Sequence, residues 1–244
     1  HNPRNYFSIR NQNNLQPLKP ESQKMKVASI LLLAQKAFQY VYQATDEFQI
    51  DESHAVKHSM EVFHLANQIY QKEVVKFPYL EKQKELIFLS AILHDMCDKK
   101  YMTEEKGIER IQDYVRKHDM LGEVDIHMMG KIISTMSYSK VKKDGYPDLK
   151  EYQMAYHIVR EADLLSAYDV DRCIIYSMAR EHLDYEWAVR RTLKVFDERV
   201  FKYRSDGLFV TPYARNLSLR LHEKAARDLR QLKLLLSPLP YTDE

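Results

Sequence analysis

The chain has 244 residues, 45% of them hydrophobic and 30% charged, with a formal net charge of +2. That length is enough for a substantial buried core, and the near-neutral balance gives no electrostatic reason to expect nucleic acid as the main partner. Only five glycines and eight prolines leave little material for the tight turns of a sandwich, a barrel or a doubly wound sheet. The glycines, at 107, 122, 130, 145 and 207, are too scattered for GxGxxG, GxxxxGK or a glycine-flanked serine elbow. An all-α protein is expected.

Residues 1–24 are polar, rich in Asn and Gln and carry three prolines, so they read as an irregular N-terminal arm. Residues 25–237 then read as one helical domain of about nine helices. The first spans about 25–45, with Val27, Ile30, Leu31, Ala34, Phe38 and Val41 at helical spacing. The second opens near Ser53 and stops before Pro78, and the third, 81–95, is dense enough in Leu, Ile and Ala to be a central core helix. A fourth follows Thr103 to about His118, acidic in its first turn and basic in its last, and a fifth covers 124–138. Ser139 to Leu149, with Gly145 and Pro147, reads as a loop. Helices at about 150–168, 171–182 and 185–203 follow, and the last starts at Thr211-Pro212 and ends near Leu236. It has a basic solvated face of Arg215, Arg220, Lys224, Arg227, Arg230 and Lys233.

Cys97 and Cys173 are far apart and form no CxxC, so neither a disulfide framework nor a thiolate zinc site is indicated. The best apolar stretch, Leu86 to Leu93, is well short of the ~18 residues that span a bilayer. A cytoplasmic protein without a membrane partner is expected, and a homo-oligomer is compatible with the sequence.

Three segments concentrate the chemistry: Ser53-His-Ala-Val-Lys-His58, Ala91-Ile-Leu-His-Asp95 and Arg160-Glu-Ala-Asp163. The third helix ends by presenting an imidazole and a carboxylate side by side. A buried carboxylate needs a cationic partner, and a divalent metal accepts both side chains at once. Taken alone, the dipeptide reads first as a surface His-Asp pair at a helix end. His54 and His58 are four apart and share a helical face, as two metal ligands or a ligand and its supporting group would. Asp163 borders the apolar stripe of Ile158, Ala162 and Leu165. Each residue alone has an ordinary structural explanation; the three segments together point to a metal centre.

The order His…His-Asp…Asp in an all-helical chain resembles the HD-domain superfamily of metal-dependent phosphohydrolases, in particular its small stand-alone members. His54-AVK-His58-SME-Val62 is similar to the first motif, Ile92-LHDMCDKK-Tyr101 to the second and Glu161-Ala-Asp163-LLSA to the third. The resemblance covers about residues 30–180. It implies His58, His94, Asp95 and Asp163 as metal ligands, with His54 beside them. A mixed nitrogen and oxygen set of this kind suits Mn, Fe, Co, Ni, Mg or Zn without choosing among them.

Many relatives carry arginine three residues after the first metal histidine, where this chain has Glu61. A positive charge for phosphate is therefore missing there, with Lys57, Lys99, Lys100 and Arg160 as alternative contacts. Members with two metals add histidines between the second and third motifs, an interval that here holds His118 and His127. A buried histidine with one backbone partner is the commoner explanation of His127. Tyr101 and Tyr138 could line a pocket for a nucleobase, packing being the alternative for each.

The function the resemblance implies is hydrolysis of a nucleotide or another small phosphate ester. The metal would activate water, Asp95 would handle the proton, and His54, Lys99 and Lys100 would assist. A regulatory or interaction protein that keeps the metal as a structural clamp is the alternative, supported by Glu61. A diiron oxygenase on the same scaffold would need the extra histidines as ligands.

Overall fold

The computed structural model describes residues 20–48, 52–97 and 102–236, with side chains from residue 30 in the first helix and from residue 55 in the second. Among the described residues there are ten α-helices and no strands. They are α1 (Pro20–Glu47), α2 (Glu52–Glu73), α3 (Lys84–Leu93), α4 (Glu104–Lys117), α5 (Glu123–Thr135), α6 (Tyr138–Asp144), α7 (Gln153–Ser166), α8 (Val170–Arg180), α9 (Tyr185–Glu198) and α10 (Pro212–Leu236). The all-α class expected from composition is the observed one.

The composition of α3 fixes the centre of the bundle. Every residue from Leu86 to Leu93 is buried, so this helix has no solvent face and must be wrapped by others. α1, α2 and α7 pack on it, and α2 and α7 also pack on each other. α7 is nearly as enclosed: Ala155 to Ala162 and Leu164 to Ser166 are all buried. The segments that carry the second and third motifs are therefore on the innermost helices of the fold, held there by hydrophobic burial.

Local signals place several boundaries. Thr103 caps α4 by accepting from the Lys106 amide, and Asp169 and Asp184 cap α8 and α9 through the amides of Arg172 and Trp187. α4 and α5 approach closely at Gly130, where a Cβ would stand 2.6 Å from the Gln112 amide nitrogen.

Three expectations are corrected. Helix α1 begins at Pro20 rather than Met25, because proline fits the first turn of a helix as readily as an arm; the rest of the arm, 1–19, lies outside the described residues. Leu31 is exposed, since the buried stripe of α1 runs through Ala34, Ala37, Val41 and Ala44. The segment assigned to a loop contains α6, so the described helices number ten rather than nine. Its Val141 is buried, and Gly145, at φ 75°, donates its amide to the Val141 carbonyl as the cap. The glycine and proline that suggested a loop mark the end of a short helix. Residues from 237 on lie outside the described residues.

Candidate metal centre

α3 gives way to a 3₁₀ turn, His94–Cys97, and this tightening swings His94 and Asp95 toward the same point despite their adjacency. His58 reaches it from α2 and Asp163 from α7. The two imidazole Nε2 atoms lie 3.3 Å apart. Asp95 stands 3.1 Å from His58 Nε2 through Oδ2 and 3.5 Å from His94 Nε2 through Oδ1. Asp163 Oδ1 lies 3.5 and 3.4 Å from the same two nitrogens. The four residues implied by the resemblance converge; His58, His94 and Asp95 offer ligand atoms all within 4.8 Å of one another.

These atoms fit a divalent ion. Donors at ~2.1 Å around a tetrahedral ion stand about 3.4 Å from each other, close to the separations here. The tautomer also fits. His94 Nδ1 is 2.8 Å from the Ala91 carbonyl, so it carries a proton, and loss of the other ring proton would turn the Nε2 lone pair toward the cluster. His58 Nδ1 lies 3.5 Å from the Ser166 hydroxyl.

Both histidines are buried, whereas the Asp95 side chain is 56% exposed and Asp163 28%. Burial by itself would lower the pKa of His94, but the charges of Asp95 and Asp163 outweigh it and raise it to about 9. In His58 the same burial is overcome by Asp95 and Asp163, and its pKa is raised too. Burial would raise both carboxyls, yet the facing imidazoles hold Asp95 and Asp163 well below the usual carboxylate range. Two carboxylates ionised at neutral pH thus face two imidazoles whose protons they hold, and a divalent ion would take the place of those protons.

Other expected residues do not join it. Arg160 is fully buried and serves the fold: it donates to the Leu208 carbonyl at 2.7 Å and pairs with Glu161 at 3.3 Å. Glu161 in turn accepts from the Val210 and Thr211 amides and from the Thr211 hydroxyl. Arg160 is not a phosphate contact, because its charge is consumed inside this knot. Lys57 is exposed and does not line the cleft beside the cluster. His127 is exposed on α5, and His118 packs on Tyr114 with ring centroids 4.3 Å apart. Neither approaches the cluster, so the ligands needed for a diiron centre are missing among the described residues. The side chains of His54 and Cys97, and Lys99, Lys100 and Tyr101 altogether, lie outside the described residues.

Glu61 is half-buried, with Oε2 enclosed and without a hydrogen-bond partner. Burial raises its pKa, partly countered by the positive charge of Arg172. Position 61 thus holds a carboxyl beside an arginine supplied from α8.

A cleft of about 410 Å³ opens from His58 and Asp95 between α8 and α9. Arg172, Arg180, Arg191 and Arg199 line it, together with Tyr203 and the apolar Phe196. Sequence reasoning missed these arginines. Their signal was weak: Arg172 and Arg180 lie eight residues apart, two turns along α8, as do Arg191 on α9 and Arg199 just past its end. Tyr138 does not line the cleft but packs on Tyr203, with centroids 5.2 Å apart.

No protein-family model matches the chain, and no curated protein matches it in sequence. Its fold is similar to that of a Lactobacillus plantarum protein, a crystal structure from a structural-genomics programme, with a TM-score of 0.61. The two chains are 20% identical over 84% of this chain and 97% of the other. That likeness supports the helical architecture alone. None of the described helices is long and apolar enough to cross a membrane.

Proposed function

We propose that this chain is a metal-dependent phosphohydrolase of the HD type acting on a small phosphate ester, with nucleotides among the substrates to test. The observation that carries the reading is the convergence of His58, His94, Asp95 and Asp163 at the mouth of an arginine-lined cleft. His58, His94 and Asp163 would hold the ion, with Asp95 completing the set. A bound divalent metal lowers the pKa of a coordinated water and polarises a phosphoryl oxygen.

The protein's own groups divide the remaining work. Asp95 is ionised and more than half exposed, so it can orient a water in the cleft and accept its proton. It cannot act as a general acid at neutral pH, because its carboxyl is held deprotonated. The histidines are buried and serve as ligands rather than proton carriers. Arg172, close to His58 along the cleft wall, supplies positive charge for a phosphoryl group.

The test is metal content followed by phosphate release. Protein reconstituted with Mn²⁺ or Co²⁺ should retain close to one equivalent and release phosphate from a panel of nucleotides and sugar phosphates. Asp95→Asn should keep the helical circular-dichroism spectrum and lose turnover. Retention below about 0.2 equivalents would remove the metal centre, since a convergent four-ligand site binds far more tightly than that. An inert wild type with metal bound would remove the hydrolase reading.

A further inference from the structure

We infer that Ser166 is a positioning residue of the metal centre: its hydroxyl fixes which ring nitrogen of His58 keeps a proton, and so leaves Nε2 for the ion. The inference rests on the metal centre proposed for this chain and not on the reaction assigned to it.

The first argument is a count of donors and acceptors around one oxygen. Ser166 is the last residue of α7 and is wholly buried. A hydroxyl has one hydrogen to donate and two lone pairs with which to accept. Ser166 Oγ lies 2.7 Å from the Asp163 carbonyl, 3.4 Å from Arg172 Nη2 and 3.5 Å from His58 Nδ1. The carbonyl can only accept, so it takes the serine hydrogen. The guanidinium can only donate, so it occupies one lone pair. The lone pair that remains faces His58 Nδ1, and the imidazole must be the donor there.

Burial turns that preference into a constraint. His58 is 4% exposed, and the Ser166 hydroxyl is the hydrogen-bonding partner of its Nδ1 among the described residues. Without a proton on Nδ1, two lone pairs would face each other with no solvent between them, which is costly in a buried place. The other ring nitrogen, Nε2, points at the carboxylates, 3.1 Å from Asp95 and 3.5 Å from Asp163. Its proton is therefore the one an ion would displace.

The two histidines reach the same state by different means. His94 is oriented by a backbone carbonyl of its own helix, that of Ala91. His58 on α2 depends on a side chain from α7, 108 residues further along the chain. One turn of α7 thus supplies both a ligand, Asp163, and the group that orients another ligand. Arg172 also reaches the Ser166 carbonyl, at 3.5 Å, so the start of α8 is tied to the same point.

The experiment is titration of the chelator-treated full chain with Co²⁺, followed by visible absorption, for wild type and for Ser166→Ala, Ser59→Ala and Ser90→Ala. Ser166→Ala should bind Co²⁺ about ten- to a hundredfold more weakly, the usual effect of losing the group that orients a metal-binding histidine. Ser59 and Ser90 are the controls, fully buried on α2 and α3 with hydroxyl oxygens that have no hydrogen-bond partner among the described residues. Their alanine variants should bind within about twofold of wild type, since removing an unpartnered hydroxyl leaves nothing unpaired. Nitrogen-15 NMR of the Zn²⁺-loaded wild type reads the tautomer directly, with the His58 proton expected on Nδ1. A His58 protonated on Nε2 overturns the inference whatever the variants do. So does a Ser166→Ala protein that binds Co²⁺ as wild type does, or an equal loss in all three variants. Failure of the underlying reading looks different. A wild type that holds no metal removes the centre and this role with it, whereas Ser166-dependent metal binding without phosphate release supports the role and removes only the hydrolase.

Discussion

Raising the pH from 6 to 9 should destabilise the protein in chelator and progressively widen the gap between chelated and metal-loaded protein. The reasoning starts from His94, whose pKa is raised from 6.5 to about 9. A group raised in the folded state contributes stability that is fully present below its unfolded pKa. That contribution disappears as the pH climbs through the folded value. Asp95 and Asp163 are depressed instead, so their contribution is present above the ordinary carboxylate range and lost only in strong acid. Between pH 6.5 and 9 the histidines therefore dominate this cluster. At about 1.4 kcal/mol per pKa unit the His94 shift corresponds to at most about 3 kcal/mol. Because Asp95 is more than half exposed, solvent screening brings the expected loss nearer 2 kcal/mol. For a chain of this length that is a fall in Tm of roughly 4–8 °C. With metal the sign reverses, because ligation needs neutral imidazoles and the ion competes better as protons leave. Thermal melts at half-unit pH steps, in chelator and in excess Mn²⁺, check both halves. His94→Gln in chelator should lose most of the slope. Parallel wild-type curves with and without metal would refute the assignment of the pH dependence to this cluster.

Glu161→Ala should cost about 3–5 kcal/mol in urea unfolding, because it leaves Arg160 buried without its carboxylate; a loss under about 1 kcal/mol would contradict the buried knot. Glu61→Arg should destabilise by about 1–3 kcal/mol, by crowding a second guanidinium against Arg172 in a half-buried place. It should not raise phosphate release, since Glu61 does not line the cleft, and a faster enzyme would show that it does. Gly145→Ala should lower stability by about 1–2 kcal/mol, seen as a lower urea midpoint, because φ 75° disfavours any side chain.

The helical class was legible because the shortage of glycine and proline left no other architecture, and the central position of α3 because eight successive residues could not tolerate water. The meeting of His58, His94, Asp95 and Asp163 was legible as well, since these residue types stand in three short segments that the fold brings together. The arginines were not. Arg172 and Arg180 on α8 and Arg191 on α9 read as solvated helix faces until the tertiary fold turns them onto one cleft, with Arg199 just past the end of α9. Arg160 misled for the opposite reason: it stands next to a motif carboxylate, but sequence does not say whether a charge faces solvent or is consumed in a buried pair. Glu61 shows the same limit. Its side chain was readable as a departure from the family pattern, whereas the nearby guanidinium of Arg172 comes from α8, more than a hundred residues later in the chain.

The knot of Arg160 and Glu161 with residues 208–211 lies on the same turn of α7 as Asp163. One residue of slippage along a helix is about 1.5 Å, enough to carry the Asp163 carboxylate away from imidazoles now 3.4 and 3.5 Å distant. The knot therefore acts as an indexing pin that sets the register of α7, with the start of α10 as its anchor. Val210 and Thr211, whose amides donate to Glu161, should exchange their hydrogens in the same cooperative unit as the turn that carries Asp163. The His-Asp cluster and the opening of the last helix would then come apart together.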